Sequence, residues 1–351
     1  MKTITVSASK KYDVTVGSGL LPTIGQRIKD LTKAKQVAII SDSSVYPLYG
    51  GTVEQSLKGA GFAQVVSYVF AAGEESKCGS TYLQILEFLA ANRLTRSDCL
   101  IALGGGVVGD ITGFAAATFL RGIDYVQVPT TLLAAVDSSV GGKTAIDLGA
   151  GKNLAGAFYQ PRLVLCDTDC LNSLPEDIFR DGCAEVIKYG ILYDVDLFAH
   201  LKQTGLAFDR ERVIARCVEL KRDVVDRDEF DHGERQMLNL GHTIGHGVEA
   251  QSNYTVSHGK AVAIGMAIIS RSARSLGICS ADTAADILAT IEKFGLPITT
   301  NCTADAIATA ALSDKKRSGG TVNLIVPERI GQCSIRPTAV ENLKSVIEAG
   351  L

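Results

Sequence analysis

Three of the five histidines, His242, His246 and His258, lie close together in the second half of the sequence. The pattern of residues 234–250 predicts a helix, and spacings of three and four residues place its polar side chains on one face. A polar face of this kind is costly to bury without ligands or partners. Histidines in this setting suit a borderline metal such as zinc, and a catalytic zinc usually has three protein ligands and one open position. The polar face comprises Arg235, Asn239, His242 and His246.

A carboxylate from another helix could complete such a metal site. In the segment CAEVIKYG, Glu185 and Lys188 lie one helical turn apart among apolar residues, where an uncompensated Glu would be costly. Two alternatives stay open: a simple ion pair between Glu185 and Lys188, and histidines that only form hydrogen bonds in the core. HTIGH lacks the glutamate of the HExxH signature, so peptide hydrolysis is not indicated. Gly241 and Gly245 would let another backbone approach the histidine helix closely.

A glycine-rich turn, LGGGVVGD at 103–110, lies between an apolar strand-like run and a helical run. Gly104, Gly106 and Gly109 match G-x-G-x-x-G, in which backbone amides and a helix N-terminus can bind a pyrophosphate. A turn that merely needs small residues is the alternative. The acidic residue expected roughly 20 positions later is missing, so Asp42, which ends an earlier strand, could bind the ribose hydroxyls instead. The turn therefore favours a nucleotide site in a variant of the standard dinucleotide fold.

The segment 130–160 is glycine-rich and carries two lysines that each follow a glycine. Its GGKT sequence is not a P-loop, because Asp137 stands where G-x-x-x-x-G-K-[ST] needs glycine. A loop of this composition can bring backbone amides, Lys143, Lys152 and Asn153 close to an anionic ligand, with Asp137 nearby. Flexible, solvated lysines are the alternative.

The elements that would position these residues change character along the chain. Up to about residue 170, an opening hairpin and five short runs that are apolar on both faces alternate with helical patterns. This alternation predicts a parallel sheet covered by helices on both sides. After Pro175 the periodicity is helical, apart from a late strand-like pair. The predicted fold class is α/β, with a parallel-sheet domain followed by a mainly α-helical domain.

Composition excludes several classes of protein. The 351 residues are 46% hydrophobic and 21% charged, which indicates an ordinary globular chain of about two domains. The net charge of −3 provides no positive field for a polyanion, so no nucleic-acid partner is expected. Nine cysteines without a CxxC pair indicate buried, reduced thiols and not a disulfide framework. Neither a membrane span nor a signal peptide is recognisable, so we expect a soluble, cytoplasmic protein without membrane contacts.

Several motifs, in unbroken order, closely resemble those of the 3-dehydroquinate synthase family. The resemblance implies an N-terminal Rossmann-like α/β domain that binds NAD, at 1–172, and a mainly α-helical C-terminal domain that binds metal and substrate, at 173–351. It also implies an active site in the cleft and usually a homodimer. The motifs are GGGVVGD, PTTLLAAVDSSVGGKT, GKN, AEVIKYG, RQMLNLGHTIGH, SHG and the late DKK at 314–316.

The resemblance further implies a lyase of the shikimate pathway with NAD and Zn²⁺, or alternatively Co²⁺, as cofactors. The expected substrate is a phosphorylated keto-acid sugar, 3-deoxy-D-arabino-heptulosonate 7-phosphate. It would be oxidised at C5 by bound NAD, lose phosphate by β-elimination, be reduced again, open, and close by intramolecular aldol condensation to 3-dehydroquinate.

The resemblance assigns roles to individual residues of this chain. Glu185, His242 and His258 match the zinc ligands, and the ion would polarise the hydroxyl being oxidised. The positions that match the NAD site are Asp42, Glu74, Lys77, Gly105, Gly106, Asp110, Thr130, Thr131, Lys152 and Thr168. The positions that match the phosphate site are Lys143, Asn153, Lys316 and Arg121 of the partner subunit. The carboxylate would be held by Lys221, Arg235 and Asn239, and the reacting centre lined by Lys188, Asp137 and His246, of which His246 could move protons.

One motif departs from the family pattern, and some alternatives stay open. Where the family commonly has Leu-Lys-Thr-Leu-Pro, this chain has the sequence LNSLP at 171–175, in which Ser173 keeps the hydroxyl. Either Lys315 or Lys316 could face the site. Other sugar-phosphate cyclases and polyol dehydrogenases of the same superfamily are alternatives, although Arg235 and the DKK run favour the dehydroquinate branch. A catalytically inactive NAD-binding scaffold is a further alternative, which the complete set of candidate metal ligands disfavours.

Overall fold

The computed structural model describes residues 1–313 and 320–351, and its internal contacts group the chain into two compact units. Unit 1 contains Met1–Pro175 and Arg210–Phe230, and unit 2 contains Glu176–Asp209 and Asp231–Leu351. The first segment ends where the sequence pattern changes from strands to helices. The segment Arg210–Phe230, however, groups with unit 1, which the division into 1–172 and 173–351 did not anticipate. Its helical periodicity gives no sign that it packs against strands.

Unit 1 is built on a seven-stranded sheet. Its strands are β1 (Lys2–Ser7), β2 (Lys11–Gly17), β3 (Gln36–Asp42), β4 (Gln64–Phe70), β5 (Cys99–Gly104), β6 (Asp124–Pro129) and β9 (Leu163–Asp167), and a separate antiparallel pair is formed by β7 (Lys143–Leu148) and β8 (Gly151–Phe158). The sheet order is β1-β2-β9-β6-β5-β3-β4. The β1–β2 pair is antiparallel and the other pairs of this sheet are parallel, which confirms the opening hairpin and the parallel sheet.

Helices cover both faces of this sheet. They are α1 (Ile24–Leu31), α2 (Tyr46–Gly59), α3 (Gly79–Ala91), α4 (Gly106–Thr118) and, from the later segment, α7 (Arg210–Arg227). Along β3, Val37 and Ile39 join one buried cluster with α1 and α2, whereas Ala38 and Ile40 join another with α3 and α4. Successive side chains of a strand point to opposite faces. A strand covered on both sides must therefore be apolar where helices pack against it, as residues 37–40 of β3 are.

The order of the strands creates a predictable ligand position. The chain adds β4 on one side of β3 and then β5 on the other side. Open α/β sheets bind ligands at the carboxyl ends of the strands that flank such a reversal. The order β4-β3-β5-β6-β9 follows the 2-1-3-4-5 pattern of doubly wound sheets and not the standard dinucleotide-binding order, which confirms the expected variant topology.

The segment predicted as an anion-binding loop is more regular than expected. A π-helix spans Ala134–Ser138, and the antiparallel pair of β7 and β8 follows it. The prediction of a loop throughout 130–160 is therefore wrong for most of the segment. Gly156 allows close packing of the hairpin, because a Cβ at this position would lie 2.1 Å from the backbone oxygen of Thr144.

Unit 2 is mainly helical, as predicted. Its helices are α5 (Glu176–Tyr193), α6 (Val195–Thr204), α8 (His242–Gln251), α9 (His258–Ser275), α10 (Ala281–Lys293), α11 (Ala304–Ser313) and α12 (Val340–Glu348). The late strand-like pair forms an antiparallel hairpin of β10 (Thr321–Arg329) and β11 (Gln332–Ala339).

Within the parts of the chain that the structure describes, no helix has the length and apolar character needed to cross a membrane. All nine cysteines are free thiols, and six of them are buried.

The helix predicted over 234–250 is broken. A 3-10 helix spans Glu234–Asn239, and α8 starts only at His242. Gly241 separates them with a φ of +78°, a left-handed conformation that glycine adopts without steric cost. Arg235 and Asn239 therefore do not share one continuous helical face with His242 and His246.

Glycines bring α8 and α9 into close contact, which confirms the expected backbone approach. A Cβ on Gly265 would lie 2.0 Å from the backbone oxygen of Gly241, and one on Gly245 would lie 2.9 Å from that of Ala261. A similar contact brings the start of α9 to α5, because a Cβ on Gly259 would lie 1.9 Å from the backbone oxygen of Asp181. The histidines at the first positions of α8 and α9 are thereby held next to α5.

Candidate active site

The residues predicted to bind NAD gather where the parallel strands of unit 1 end. Asp42 ends β3, Gly105 and Gly106 follow β5, Thr130 follows β6, and Thr168 follows β9. Parallel strands have their carboxyl ends at one edge of the sheet, so these residues share that edge. Gly105 is the N-cap residue of α4, and the first amides of a helix have no partner within it. The edge therefore offers backbone donors to an anionic ligand.

The surroundings of the glycine turn fit a bound pyrophosphate. A Cβ on Gly105 would lie 3.0 Å from Cγ2 of Thr131, and one on Gly106 would lie 3.3 Å from Oγ of Ser138. The buried hydroxyls of Thr130 and Ser138 have no hydrogen-bond partner among the described residues. Buried hydroxyls normally have one, so a ligand with phosphate oxygens would complete this site. Ser138 was not recognisable as a site residue, because a serine in a glycine-rich segment carries no specific signal.

Lys77 lies at the centre of a polar network in unit 1. Its Nζ donates to Oδ2 of Asp110 and to Oδ1 of Asn153, both at 2.5 Å. The backbone N–H of Asn153 donates to Oδ1 of Asp147 at 2.7 Å, and that of Asp147 donates to the Lys77 carbonyl at 2.7 Å. Burial opposes the charge of Lys77, but Asp110 and Glu74 outweigh it and raise the pKa of the ammonium group. The predicted phosphate residue Asn153 is thus joined to two predicted NAD residues.

Other predicted nucleotide residues also have defined partners. Oδ1 of Asp42 accepts hydrogen bonds from the backbone N–H groups of Ser44 and Val45, at 2.8 and 2.9 Å. Lys152 forms an ion pair with Glu74 at 3.7 Å. In the motif that departs from the family pattern, the hydroxyl of Ser173 contacts the hydroxyl of Tyr49. This contact links the turn after β9 to α2 within unit 1.

The cationic residues predicted to bind phosphate lie in different local structures. Lys143 is the exposed first residue of β7 and follows Gly141 and Gly142, which both have positive φ. Arg121 is exposed, and both Arg121 and Leu120 adopt left-handed backbone conformations, which are uncommon for residues with side chains. The predicted residues Lys315 and Lys316 lie outside the described residues.

Lys221 and Asp137 lie together in unit 1. The buried Nζ of Lys221, on α7, donates to Oδ1 of Asp137 at 2.9 Å and to its backbone oxygen at 2.7 Å. Asp137 belongs to the π-helix Ala134–Ser138, and single π-helical turns are frequent at functional sites. The family resemblance assigned these residues to different roles, but the structure pairs them.

Arg235, which is buried, and Asn239 lie on the 3-10 helix of unit 2.

Glu185, His242 and His258 converge in unit 2. Oε1 of Glu185, on α5, lies 3.4 Å from Nε2 of His242 and 3.5 Å from Nε2 of His258. One ligand atom from each residue lies within 4.8 Å of the other two. The Nδ1 atom of His242 lies 3.1 Å from the carbonyl oxygen of Leu240, which leaves Nε2 for a ligand. Two imidazole nitrogens and a carboxylate oxygen around one point fit the donor set of a catalytic zinc site.

The ion pair considered as an alternative to a metal site exists beside it. Lys188 contacts Oε2 of Glu185, and both side chains are almost fully buried. Burial, together with the positive charge of Lys188, lowers the pKa of His242 to about 3, so this ring stays neutral. Burial also opposes charge on His258, but the nearby carboxylates of Glu185 and Glu249 outweigh burial and raise its pKa to about 10. Metal binding requires neutral imidazole, so an ion at this site would displace the proton of His258.

His246 lies beside the cluster without belonging to its three-residue set. It is exposed, and its ring centroid lies 5.6 Å from that of His242 and 6.1 Å from that of His258. An exposed imidazole near a metal site is suited to exchange protons with water and substrate. A second buried carboxylate, Glu249, also lies beside His258. Glu249 is not recognisable from the sequence, because a polar residue near the end of a helix is usually exposed.

Cys78 differs from the other cysteines and yields a pH prediction. Its Sγ lies 3.1 Å from Oγ of Ser80 and 3.5 Å from Oγ1 of Thr81, and the hydrogen bonds from these residues lower its pKa to about 7. We expect its alkylation by iodoacetamide to accelerate as pH rises through about 7, because the thiolate is the reactive form. Mass spectrometry of peptides after timed alkylation measures this rate. Acceleration only near pH 9 would contradict the prediction, and Cys333, whose pKa is raised by burial, is the internal control.

Comparisons with known proteins agree with this geometry. Two family models match consecutive parts of the chain: 3-dehydroquinate synthase N-terminal over residues 67–181 and 3-dehydroquinate synthase C-terminal over residues 182–317. A 3-dehydroquinate synthase of Enterococcus faecalis is 43% identical to this chain over 353 residues, which cover 99% of this chain and 98% of the relative.

Two solved structures have the same fold. A 2-deoxy-scyllo-inosose synthase complexed with carbaglucose-6-phosphate, NAD⁺ and Co²⁺ matches with a TM-score of 0.89 and 26% identity, covering 100% of both chains. A 2-epi-5-epi-valiolone synthase from Streptomyces hygroscopicus subsp. jinggangensis 5008, with NAD⁺ and Zn²⁺ bound, matches with a TM-score of 0.87 and 27% identity, covering 98% of both chains. The matches of the family models and of the full-length relative, together with the convergence of Glu185, His242 and His258, show that the chain belongs to the 3-dehydroquinate synthase family.

Proposed function

We propose that this chain catalyses the reaction of its family, the conversion of 3-deoxy-D-arabino-heptulosonate 7-phosphate to 3-dehydroquinate and phosphate in the shikimate pathway. It is then a carbon–oxygen lyase that eliminates phosphate. The observation that carries the proposal is the convergence of two imidazole nitrogens on Oε1 of Glu185. A chain that had kept only the nucleotide-binding fold would have no reason to retain this buried donor set.

The proposed cofactors are NAD and a divalent metal, Zn²⁺ or Co²⁺, as in the two related cyclases. When bound, NAD supplies reversible hydride transfer, and the metal supplies polarisation of the hydroxyl being oxidised. Glu185, His242 and His258 would hold the metal, while Lys188 holds the second oxygen of Glu185 and so fixes the carboxylate. Gly105, Gly106, Thr130 and Ser138 would bind the pyrophosphate of NAD. The remaining predicted nucleotide residues would complete the NAD site.

Substrate binding is proposed to rest on the residues that the family resemblance assigns to it. Lys143, Asn153, Lys316 and Arg121 of the partner subunit would hold the phosphate, and Lys221, Arg235 and Asn239 the carboxylate. Burial of Lys221 and Arg235 supports their role, because a charge contact shielded from water is stronger than an exposed one. The homodimer implied by this set is supported by the strained, exposed turn at Leu120 and Arg121, which presents the arginine outward.

The reacting centre would be completed by Lys188, Asp137 and His246. His246 can move protons because its ring is exposed next to the metal cluster. Asp137 is held by Lys221, so its carboxylate has a fixed position. A cytoplasmic location also belongs to the proposal and is supported by the nine free cysteines, since cytoplasmic proteins keep their thiols reduced.

Redox accounting tests the proposal against a dehydrogenase of the same fold. A dehydrogenase releases one reduced nicotinamide for each product, whereas the proposed reaction returns the hydride to the substrate. With NAD well below the substrate concentration, phosphate release is expected to exceed the NAD present many times over, without accumulation of NADH absorbance. If NADH rose in step with product, the chain would be a dehydrogenase and the assignments of Lys143, Arg235 and Lys316 would fall.

A further inference from the structure

The ring of His258 has a carboxylate at each of its two nitrogens. Nε2 lies 3.5 Å from Oε1 of Glu185, and Nδ1 lies 3.6 Å from Oε2 of Glu249. Glu249 is only 2% exposed. Burying a carboxylate costs free energy unless a positive charge or a hydrogen-bond donor compensates it. The position of Glu249 beside the His258 ring therefore points to a role for this contact.

The chemistry of metal-bound histidine explains this contact. An imidazole binds a metal through the lone pair of one nitrogen, so the ring proton must lie on the other. In metal sites that second nitrogen usually donates to a carboxylate or a backbone carbonyl, which fixes the tautomer and the ring orientation. His242 has this arrangement, with Nδ1 at 3.1 Å from the carbonyl oxygen of Leu240. The corresponding acceptor for Nδ1 of His258 is Glu249.

We propose that Glu249 is a positioning residue that accepts the Nδ1 proton of His258 and thereby directs Nε2 to the metal. This inference rests on the proposed function, because it assumes that His258 is a metal ligand. The separation of 3.6 Å is slightly longer than a hydrogen bond, and we expect it to shorten on metal binding, since a metal-bound imidazole is a stronger N–H donor.

Hydrogen bonds fix the backbone on both sides of His258, but they do not orient its ring. The turn after α8 contains Asn253 and Tyr254 in left-handed conformations, and the Tyr254 N–H donates to the Glu249 carbonyl at 2.8 Å. On the other side, Oδ1 of Asp181 accepts hydrogen bonds from the Ser257 hydroxyl at 2.5 Å and from the Lys260 N–H at 3.0 Å. These contacts place the first turn of α9. They do not determine which nitrogen of His258 carries the proton.

Glu249 also belongs to a second group of potential metal ligands. One ligand atom from each of His246, Glu249 and His258 lies within 4.8 Å of the other two. Both groups need His258, however, and one ring can serve two ions only if it loses both N–H protons. Neutral imidazole has one lone pair for a metal, so the geometry favours a single ion with Glu249 as the proton acceptor.

Metal affinity measured directly on the whole protein tests this assignment. Zn²⁺ binding is measured by competition with a chromophoric chelator, and Co²⁺ binding by the visible spectrum of the bound ion, for the wild type, Glu249→Ala and Glu249→Gln. We expect Glu249→Ala to weaken Zn²⁺ binding by about 10- to 100-fold, the usual cost of losing such an outer partner, and to change the Co²⁺ spectrum. Glu249→Gln should lose less affinity, because its amide oxygen still accepts the Nδ1 proton.

Two control variants separate positioning from general damage to the fold. Glu292→Gln removes an exposed carboxylate on α10, and Ile268→Val trims a fully buried side chain within α9 away from the histidines. Both should keep wild-type Zn²⁺ affinity and the wild-type Co²⁺ spectrum, even if Ile268→Val lowers the unfolding temperature.

The outcomes separate this inference from the proposed function. Unchanged Zn²⁺ affinity and an unchanged Co²⁺ spectrum in Glu249→Ala would overturn the positioning role, and so would two ions per wild-type chain of which Glu249→Ala loses one. If the wild type bound no divalent metal, or if Glu185→Gln kept full affinity, the metal site of the proposed function would fall first.

Discussion

Replacing His258 by alanine is expected to abolish turnover while NAD binding stays nearly unchanged. His258 supplies one of three converging ligand atoms in unit 2, whereas the residues that fit NAD lie at the sheet edge of unit 1. Metal assistance contributes several kcal/mol to transition-state stabilisation, and each 1.36 kcal/mol corresponds to a factor of ten in rate. The loss should therefore reach at least about three orders of magnitude. Phosphate release measures turnover, and calorimetric titration measures NAD binding.

His200→Ala is the matched control for that experiment. His200 is a half-buried histidine of the same unit, on α6, and does not belong to either group of potential ligands. This variant should keep both metal and turnover. Full activity in a preparation shown to contain no metal would refute the metal-dependent mechanism, even if His258→Ala were inactive.

Replacing Lys143 by alanine is expected to weaken substrate binding strongly. Lys143 starts β7 as an exposed cation, and Asn153, on the other strand of the same hairpin, accepts a hydrogen bond from Lys77. A charge-assisted contact to phosphate contributes about 1.5 to 3 kcal/mol, so kcat/KM should fall by about 10- to 150-fold. Steady-state kinetics at fixed NAD and metal concentrations measures this loss. NAD affinity should change much less than the KM for the phosphorylated substrate.

The control for Lys143 must be a lysine without a structural role. Lys10, which the sequence places on an exposed hairpin, contacts Asp124 at 3.2 Å and lies 5.0 Å from the centre of the Tyr159 ring. Lys33, exposed beyond the end of α1, is the better choice. Equal, small effects of Lys143→Ala and Lys33→Ala would mean that Lys143 is an ordinary surface residue.

The sequence predicted elements well where one local rule decides the structure. Strands such as β3 and β5 are recognisable because burial on both faces demands continuous apolar runs. The glycine turn before α4 is recognisable because a strand, close backbone approach and a helix start follow each other without interruption.

The sequence failed where long-range contacts decide. The predicted helix over 234–250 had the right periodicity, but the left-handed Gly241 breaks it where α9 approaches. The contact of Lys77 with Asn153 joins residues far apart in the chain, and periodicity carries no information on such pairs. Likewise, spacing alone indicated a metal near His242 and His246, but the pairing of Glu185 with His242 and His258 came from the family resemblance and is matched by their convergence in the structure.

The grouping of α7 with unit 1 has a consequence for synthesis of the protein on the ribosome. Within unit 1, α7 carries a buried apolar face, and its region contacts the first hairpin, where the Ser7 N–H donates to Asp226 at 2.8 Å and the Ser9 N–H donates to Glu229 at 2.7 Å. When residues 1–175 have emerged, the nascent sheet still lacks this cover, and α5 and α6 must be translated before α7 arrives. The N-terminal half therefore cannot finish folding early, so it passes through an interval in which exposed apolar strands can engage chaperones or aggregate.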